Sequence, residues 1–251
     1  GILIIWGLIS CSDRDENQEP TYGKVNVALS VTLPEPENVH SLARSYTDSE
    51  IKNVDVLVFD EDGKFMERVK VDGGELTPSG TEISFSIRLD ATSKRRVIHL
   101  VTNGRSPDGV TDRLNFNDIT SGMLESAAIP ALGTTAMIFG SLEDQVMPLI
   151  MWGRVELPTG INIVTKADGV KLLRVAACVQ VKKGVGDATN GLNDFIIQSV
   201  TVDKGFDRGY LTPANYSTVV TPVTGRPLSG STLNYANGWS DGETPSLYIY
   251  E

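Results

Sequence analysis

From residue 24 onward the chain alternates apolar and polar residues with a period of two. Val25, Val27, Leu29, Val31 and Leu33 fall on one side, and Lys24, Asn26, Ala28, Ser30 and Thr32 on the other, which predicts a strand with one buried face. Pro34 and Pro36 end it, because proline cannot donate to a ladder. Ile51–Phe59 carries Val54, Val56 and Val58 on one face and Leu57 and Phe59 on the other, the pattern of a strand buried on both sides. Asp60-Glu61-Asp62-Gly63 is a turn, and Lys64–Val71 returns as the hairpin partner. Ile83, Phe85, Ile87 and Leu89 alternate again, and Val97–Val101 is a continuous apolar run.

Asn115–Ser126 is the one fair helix, with Asp118 as a candidate N-cap. Met137-Ile138-Phe139 and Val146–Leu157 complete a strand-rich half that closes near residue 165. A second half opens on Lys171–Val181, paired with Phe195–Val202, and turns rich in glycine and proline follow Lys204. The sequence stops inside a strand, Leu247–Glu251, so the second half reads as incomplete. Many short strands with little helix predict an all-β protein built from β-sandwiches.

The N-terminus has a different design. Gly1–Ile9 is an apolar run, too short for the ~20 residues that span a bilayer, and reads as the end of a secretion signal. Leu8-Ile9-Ser10-Cys11 has the shape of a lipobox, in which the cysteine thiol is lipidated and its amine becomes the mature N-terminus. A buried strand ending in cysteine is the other reading. Ser12–Pro20 is a polar, acidic stretch suited to a solvated tether. Three regions result: residues 1–22 with signal remnant, lipobox and tether, a first domain over 23–165, and a second over 166–251.

Charge and composition narrow the chemistry. A net charge of −10 disfavours a nucleic-acid surface, which needs clustered Lys and Arg. Two cysteines, 11 and 178, and two histidines, 40 and 99, exclude a disulfide scaffold and a Cys/His zinc cluster. No nucleophile elbow, P-loop, zinc-protease or dinucleotide motif is present, so no catalytic residue, metal site or cofactor is assigned. His99 lies in a buried-type strand and reads as a hydrogen-bonded structural histidine. Asp60–Gly63 lacks the spacing and closing glutamate of a calcium loop and reads as a turn.

The first strand has an unusual connection. Burying its five aliphatic residues is worth roughly 8–15 kcal/mol gross. The strand reaches the next one only through a polar loop that holds Arg44, and no other arginine lies between Arg14 and Arg44. Polar loop tips are where proteases cut. A cut between Arg44 and Ser45 would separate the first strand and its anchor from the body, leaving an apolar groove with unpaired backbone beside it. An ordinary loop arginine is the alternative.

Cys11 with its acidic tether, the strand Lys24–Leu33, Ala43-Arg44-Ser45 and Ile51–Phe59 together resemble the N-terminal region of the fimbrillin family, the type V pilins of Gram-negative bacteria. Leu172–Val181, with its Arg174-Val175-Ala176-Ala177, resembles the strand that opens their second domain, and Leu211–Tyr216 and Leu247–Glu251 are similar to later stretches. The resemblance implies two tandem transthyretin-like sandwiches, export as an outer-membrane lipoprotein at the cell surface, cleavage by an Arg-specific protease after Arg44, and polymerisation with other fimbrial subunits by strand exchange. Known members continue past the position of Tyr250 with the donor strand. A surface-tethered module that binds a glycan or protein and never polymerises is the competing reading.

Overall fold

Two facing rows of aliphatic side chains make the core of the first sandwich. The computed structural model describes residues 22–34, 50–132, 148–180, 199–202, 211–212, 233–236 and 246–250. One sheet contains β1 (Tyr22–Thr32), β4 (Thr77–Ser79), β5 (Glu82–Ala91) and β8 (Lys166–Lys171), in the order β4-β5-β1-β8. The other contains β2 (Asn53–Phe59), β3 (Phe65–Asp72), β6 (Arg96–Thr102), β7 (Met151–Leu157) and β9 (Leu173–Arg174), in the order β3-β2-β6-β7-β9. The chain is thus an all-β sandwich, as its periodicity predicts.

Between the sheets, Val27, Leu29 and Val31 of β1 and Ile83, Phe85, Ile87 and Leu89 of β5 meet Val54, Val56, Val58, Ile98 and Leu100. Strand β5 alternates buried and exposed residues along nearly its whole length, so its outer face is wet. Strands β2 and β6 are buried at every position. The reason is a second core on the far face of their sheet, where Leu57, Phe59, Val97, Val101 and Trp152 pack under α1 (Glu125–Leu132). The turn between β2 and β3 forms as read, with Gly63 at φ +74° and the Asp60 carboxylate accepting from the Asp62 and Lys64 amides.

Three expectations change. The helix starts at Glu125, where it was expected to end. Phe116–Asp118 is only a 3-10 turn, and Asp118 is its last residue instead of a helix cap. Gly122 at φ +83° breaks the segment between the two. The pairing of 171–181 with 195–202 is replaced among the described residues: β10 (Ala176–Gln180) pairs with β13 (Ser246–Tyr250), and β11 (Ser199–Val202) with β12 (Leu233–Ala236), both antiparallel. Strands β8 and β9 lie beyond the boundary expected at 165 yet pair with β1 and β7, so the strands of the first sandwich run on to Arg174. Met137-Ile138-Phe139 lies outside the described residues.

Two polar frameworks tie loops and helix to the second sheet. Arg105, 1% exposed, donates to the Asp55 carboxylate at 3.3 Å, to Asp72 at 2.6 Å, and to the carbonyls of Val71 and Gly109 at 2.8 and 3.0 Å. Arg68 bridges Asp55 and a two-pronged pair with Asp112, its guanidinium 3.4 Å above the Phe116 ring. These bonds pin the loop after β6 against β2 and β3. Under α1, the Trp152 indole N–H donates to His99 Nδ1 at 2.9 Å, so the proton of neutral His99 sits on Nε2 and is donated to Glu125 at 2.8 Å. Burial holds His99 below its ordinary pKa, against the pull of Glu125. Arg154 donates to the same Glu125 oxygen at 2.8 Å.

Arg105→Met should lower stability by about 3–5 kcal/mol in urea unfolding, because it leaves the Asp55 carboxylate short of one partner and two carbonyls unpaired. A second measurement addresses pH. Burial pushes the Glu125 carboxyl up, but the bonds from His99 and Arg154 outweigh it and bring it from 4.5 to about 2. A carboxylate whose pKa falls on folding stabilises above its unfolded value and loses that effect as the pH drops through the folded one. The stability difference between the wild type and Glu125→Gln should therefore be full at pH 6 and shrink steadily from about pH 4.5 down to about 2.

Candidate functional site

The strand singled out by the sequence sits in the middle of its sheet. β1 runs antiparallel to β5, in register from Lys24↔Asp90 to Thr32↔Glu82, and parallel to β8 from Ala28↔Lys166 to Thr32↔Lys171. Both of its backbone edges are therefore engaged. Val27, Leu29 and Val31 are at most 1% exposed, while Val25 and Leu33 at the ends are only partly buried against the core. The five inward positions expected to be covered are thus three deep and two shallow.

A slot for one strand follows from this geometry. Neighbouring strands lie about 4.8 Å apart, so β5 and β8 are separated by about 10 Å and only β1 bridges them. The floor of the slot is the aliphatic row of the facing sheet. The outer edges of the same sheet are blunted. β4 is three exposed residues with Pro78 in the middle, and β8 carries Lys166, Asp168 and Lys171 and a kink at Gly169.

The kink is built around one side chain. In the register of β1 with β8, Leu29 faces Ala167 and Val31 faces Val170, so Asp168 and Gly169 together oppose the single residue Ser30. Gly169 adopts φ +66°, the left-handed region glycine enters freely. Its N–H donates to Ser30 Oγ at 2.7 Å, and the Ser30 hydroxyl in turn donates to the Glu82 carboxylate on the other flank. Ser30 belongs to the outward row of β1 but is only 2% exposed. Sequence reasoning passed over Ser30, Glu82 and Gly169. A glycine inside the strand 166–171 is the one signal that could have flagged the bulge.

From Glu50 onward the chain is fastened at once. Asn103, at φ +55°, donates from Nδ2 to the carbonyls of Glu50 and Leu149 at 2.9 and 2.7 Å, and its Oδ1 accepts from the Lys52 amide at 2.8 Å. The Asn103 N–H donates to the Asn53 carbonyl at 2.9 Å. One buried asparagine thus holds the entry into β2 independently of β1. Cys11, Arg44 and Ser45 lie outside the described residues, as does His40. Among the described residues no group of three or more His, Cys, Asp or Glu side chains is arranged to hold a metal ion.

No curated protein matches the chain. Among solved structures, it is similar to a fimbrial assembly protein of Parabacteroides distasonis, at 18% identity over 91% of this chain and 76% of that one, with a TM-score of 0.53. It is also similar to the tip fimbrial protein Mfa3 of Porphyromonas gingivalis with a C-terminal truncation, at 12% identity over 90% of this chain and 68% of that one, TM-score 0.51. At these identities the likeness concerns the fold. The sequence profile of the fimbrillin-A associated anchor proteins Mfa1 and Mfa2 matches residues 16–175, which takes in every strand from β1 to β9. That span is more than half of the chain, and the protein belongs to this fimbrillin-associated family.

Proposed function

We propose that the protein is a subunit of a cell-surface fimbria that is stored with its own first strand as a plug and assembles by exchanging that strand. The observation that carries this reading is the position of β1: central in its sheet, paired on both edges, with Val27, Leu29 and Val31 in the core. A strand so placed is costly to remove, and its removal creates one well-defined vacancy between β5 and β8. A strand from a neighbouring subunit would fill it, regaining both ladders and the apolar contacts. The family and the fold support a fimbrial or adhesive role.

The remaining steps follow from the N-terminal sequence. Export as a lipoprotein through Cys11 would tether the subunit to the outer membrane, with residues 12–21 as the spacer. An Arg-specific protease cutting after Arg44 would free β1 together with the anchor. The Asn103 clamp on Glu50 and Lys52 would keep β2 in place, so that cleavage opens the slot and leaves the rest of the sandwich folded. The product would act with other fimbrial subunits, without nucleic acid or cofactor.

Trace Arg-specific protease added to the full chain should give a product that begins at Ser45 and forms oligomers in size-exclusion chromatography. Arg44→Ala should block that cut and leave a monomer. One stable species that never polymerises after cleavage would instead favour a tethered binding module. Leu29→Ala, which truncates the largest of the three fully buried side chains of β1, should cost the uncut chain about 2–5 kcal/mol and speed loss of the N-terminal fragment after cleavage.

A further inference from the structure

We propose that Ser30, Glu82 and Gly169 form a polar latch that selects which strand the slot accepts: one carrying a hydroxyl between two inward aliphatic residues. This rests on the strand-exchange reading and adds to it the chemistry of the incoming partner. Apolar pockets between two sheets favour any alternating aliphatic strand of suitable length, so the row Val27, Leu29 and Val31 supplies affinity with little choice. It also leaves register loosely fixed, since a slip of two residues puts aliphatic side chains back into the same pockets. The outward row of β1 includes Lys24 and Asn26, both exposed, and Ala28 and Thr32, both half-buried.

Ser30 is the exception. It lies on the outward row yet is buried, and its hydroxyl is engaged on both flanks of the slot at once, by a backbone N–H from β8 and by a carboxylate from β5. The two-against-one bulge at Asp168–Gly169 and the positive φ of Gly169 aim that N–H at the hydroxyl. The bulge belongs to the body, on β8, and stays behind when β1 leaves. An incoming strand with serine at this place restores both hydrogen bonds. One with alanine covers the same ground but offers the Gly169 N–H and the Glu82 carboxylate, both only partly shielded, a methyl group in place of the hydroxyl, and so loses both hydrogen bonds. The pattern required is therefore aliphatic, any, aliphatic, serine, aliphatic, as in Val27-Ala28-Leu29-Ser30-Val31. The latch also fixes register, because only one alignment places the hydroxyl opposite the bulge.

The test uses the full chain with a site for a sequence-specific protease inserted between residues 44 and 45, so that it does not depend on Arg44 itself. After cleavage, labelled synthetic peptides of residues 22–34 compete for the slot, one with the native sequence and one with Ser30→Ala. The native peptide should be captured roughly fivefold better, the effect of about one net hydrogen bond. In a chain carrying Glu82→Ala the preference should fall several-fold, which a merely structural role for Ser30 would not produce. Equal capture of both peptides by the native body overturns the latch and leaves strand exchange standing. Capture of neither peptide by the cleaved chain overturns strand exchange, and the latch as a partner selector with it.

Discussion

A strand in the interior of a sheet must satisfy two backbone edges and one apolar face at the same time, and in this protein one strand near the chain's N-terminus does so for an entire sheet. β1 joins β5 to β8 although neither is its neighbour in sequence, and its inward residues fill the centre of the core. Without it, β5 and β8 have no ladder in common, and the apolar floor supplied by β2 and β6 is uncovered. What stands in that position decides whether the sheet is complete. The strand is covalently attached to the body only through residues 33–52, and at the start of that connection the Leu33 N–H still donates to the Thr81 carbonyl beside β5 at 2.9 Å.

The facing sheet closes its far face without β1. Its two central strands are buried on both faces, and the far face is closed by α1, the loop after β6 and the charged frameworks around Arg105 and Glu125. These groups spend hydrogen bonds on fixing loops to strands where apolar packing alone would allow sliding. Asn103 performs the same task at the entry to β2, holding Glu50 and Leu149 together. The result is one sheet fixed on its far face by polar frameworks and one sheet completed by β1. A sandwich in which both sheets needed β1 would unfold when it left.

How far the residues revealed this depends on where each signal comes from. The alternation in 24–33 and 83–89 and the apolar runs of β2 and β6 are direct consequences of one-sided and two-sided burial, so these strands are legible. His99 is legible as structural for the same reason. β8 is not, because the bulge shifts its inward residues Ala167 and Val170 to a spacing of three, which hides the period of two. The helix is misread because residues 115–119 have an apolar spacing compatible with a turn of helix, while the left-handed Gly122 makes the true start Glu125. Ser30 cannot be recognised from its own strand at all: serine on an outward row is ordinary, and its burial is created by Glu82 and Gly169, which lie 52 and 139 residues away.

That distance bears on how such a slot can be both tight and selective. Hydrophobic contact is nearly indifferent to sequence beyond size and alternation, so a groove lined only by valine, leucine and isoleucine would accept many strands, including the wrong ones. Main-chain pairing to β5 and β8 is just as indifferent, because every residue except proline offers the same N–H and C=O. Selectivity has to come from a group whose loss is penalised when the wrong partner is seated. A polar atom on the seated strand does this when it is itself out of water and engaged from both sides, and Ser30 is only 2% exposed. In β1 the register brings the bulge of β8 and the carboxylate of β5 together over a single residue, and that residue carries a hydroxyl.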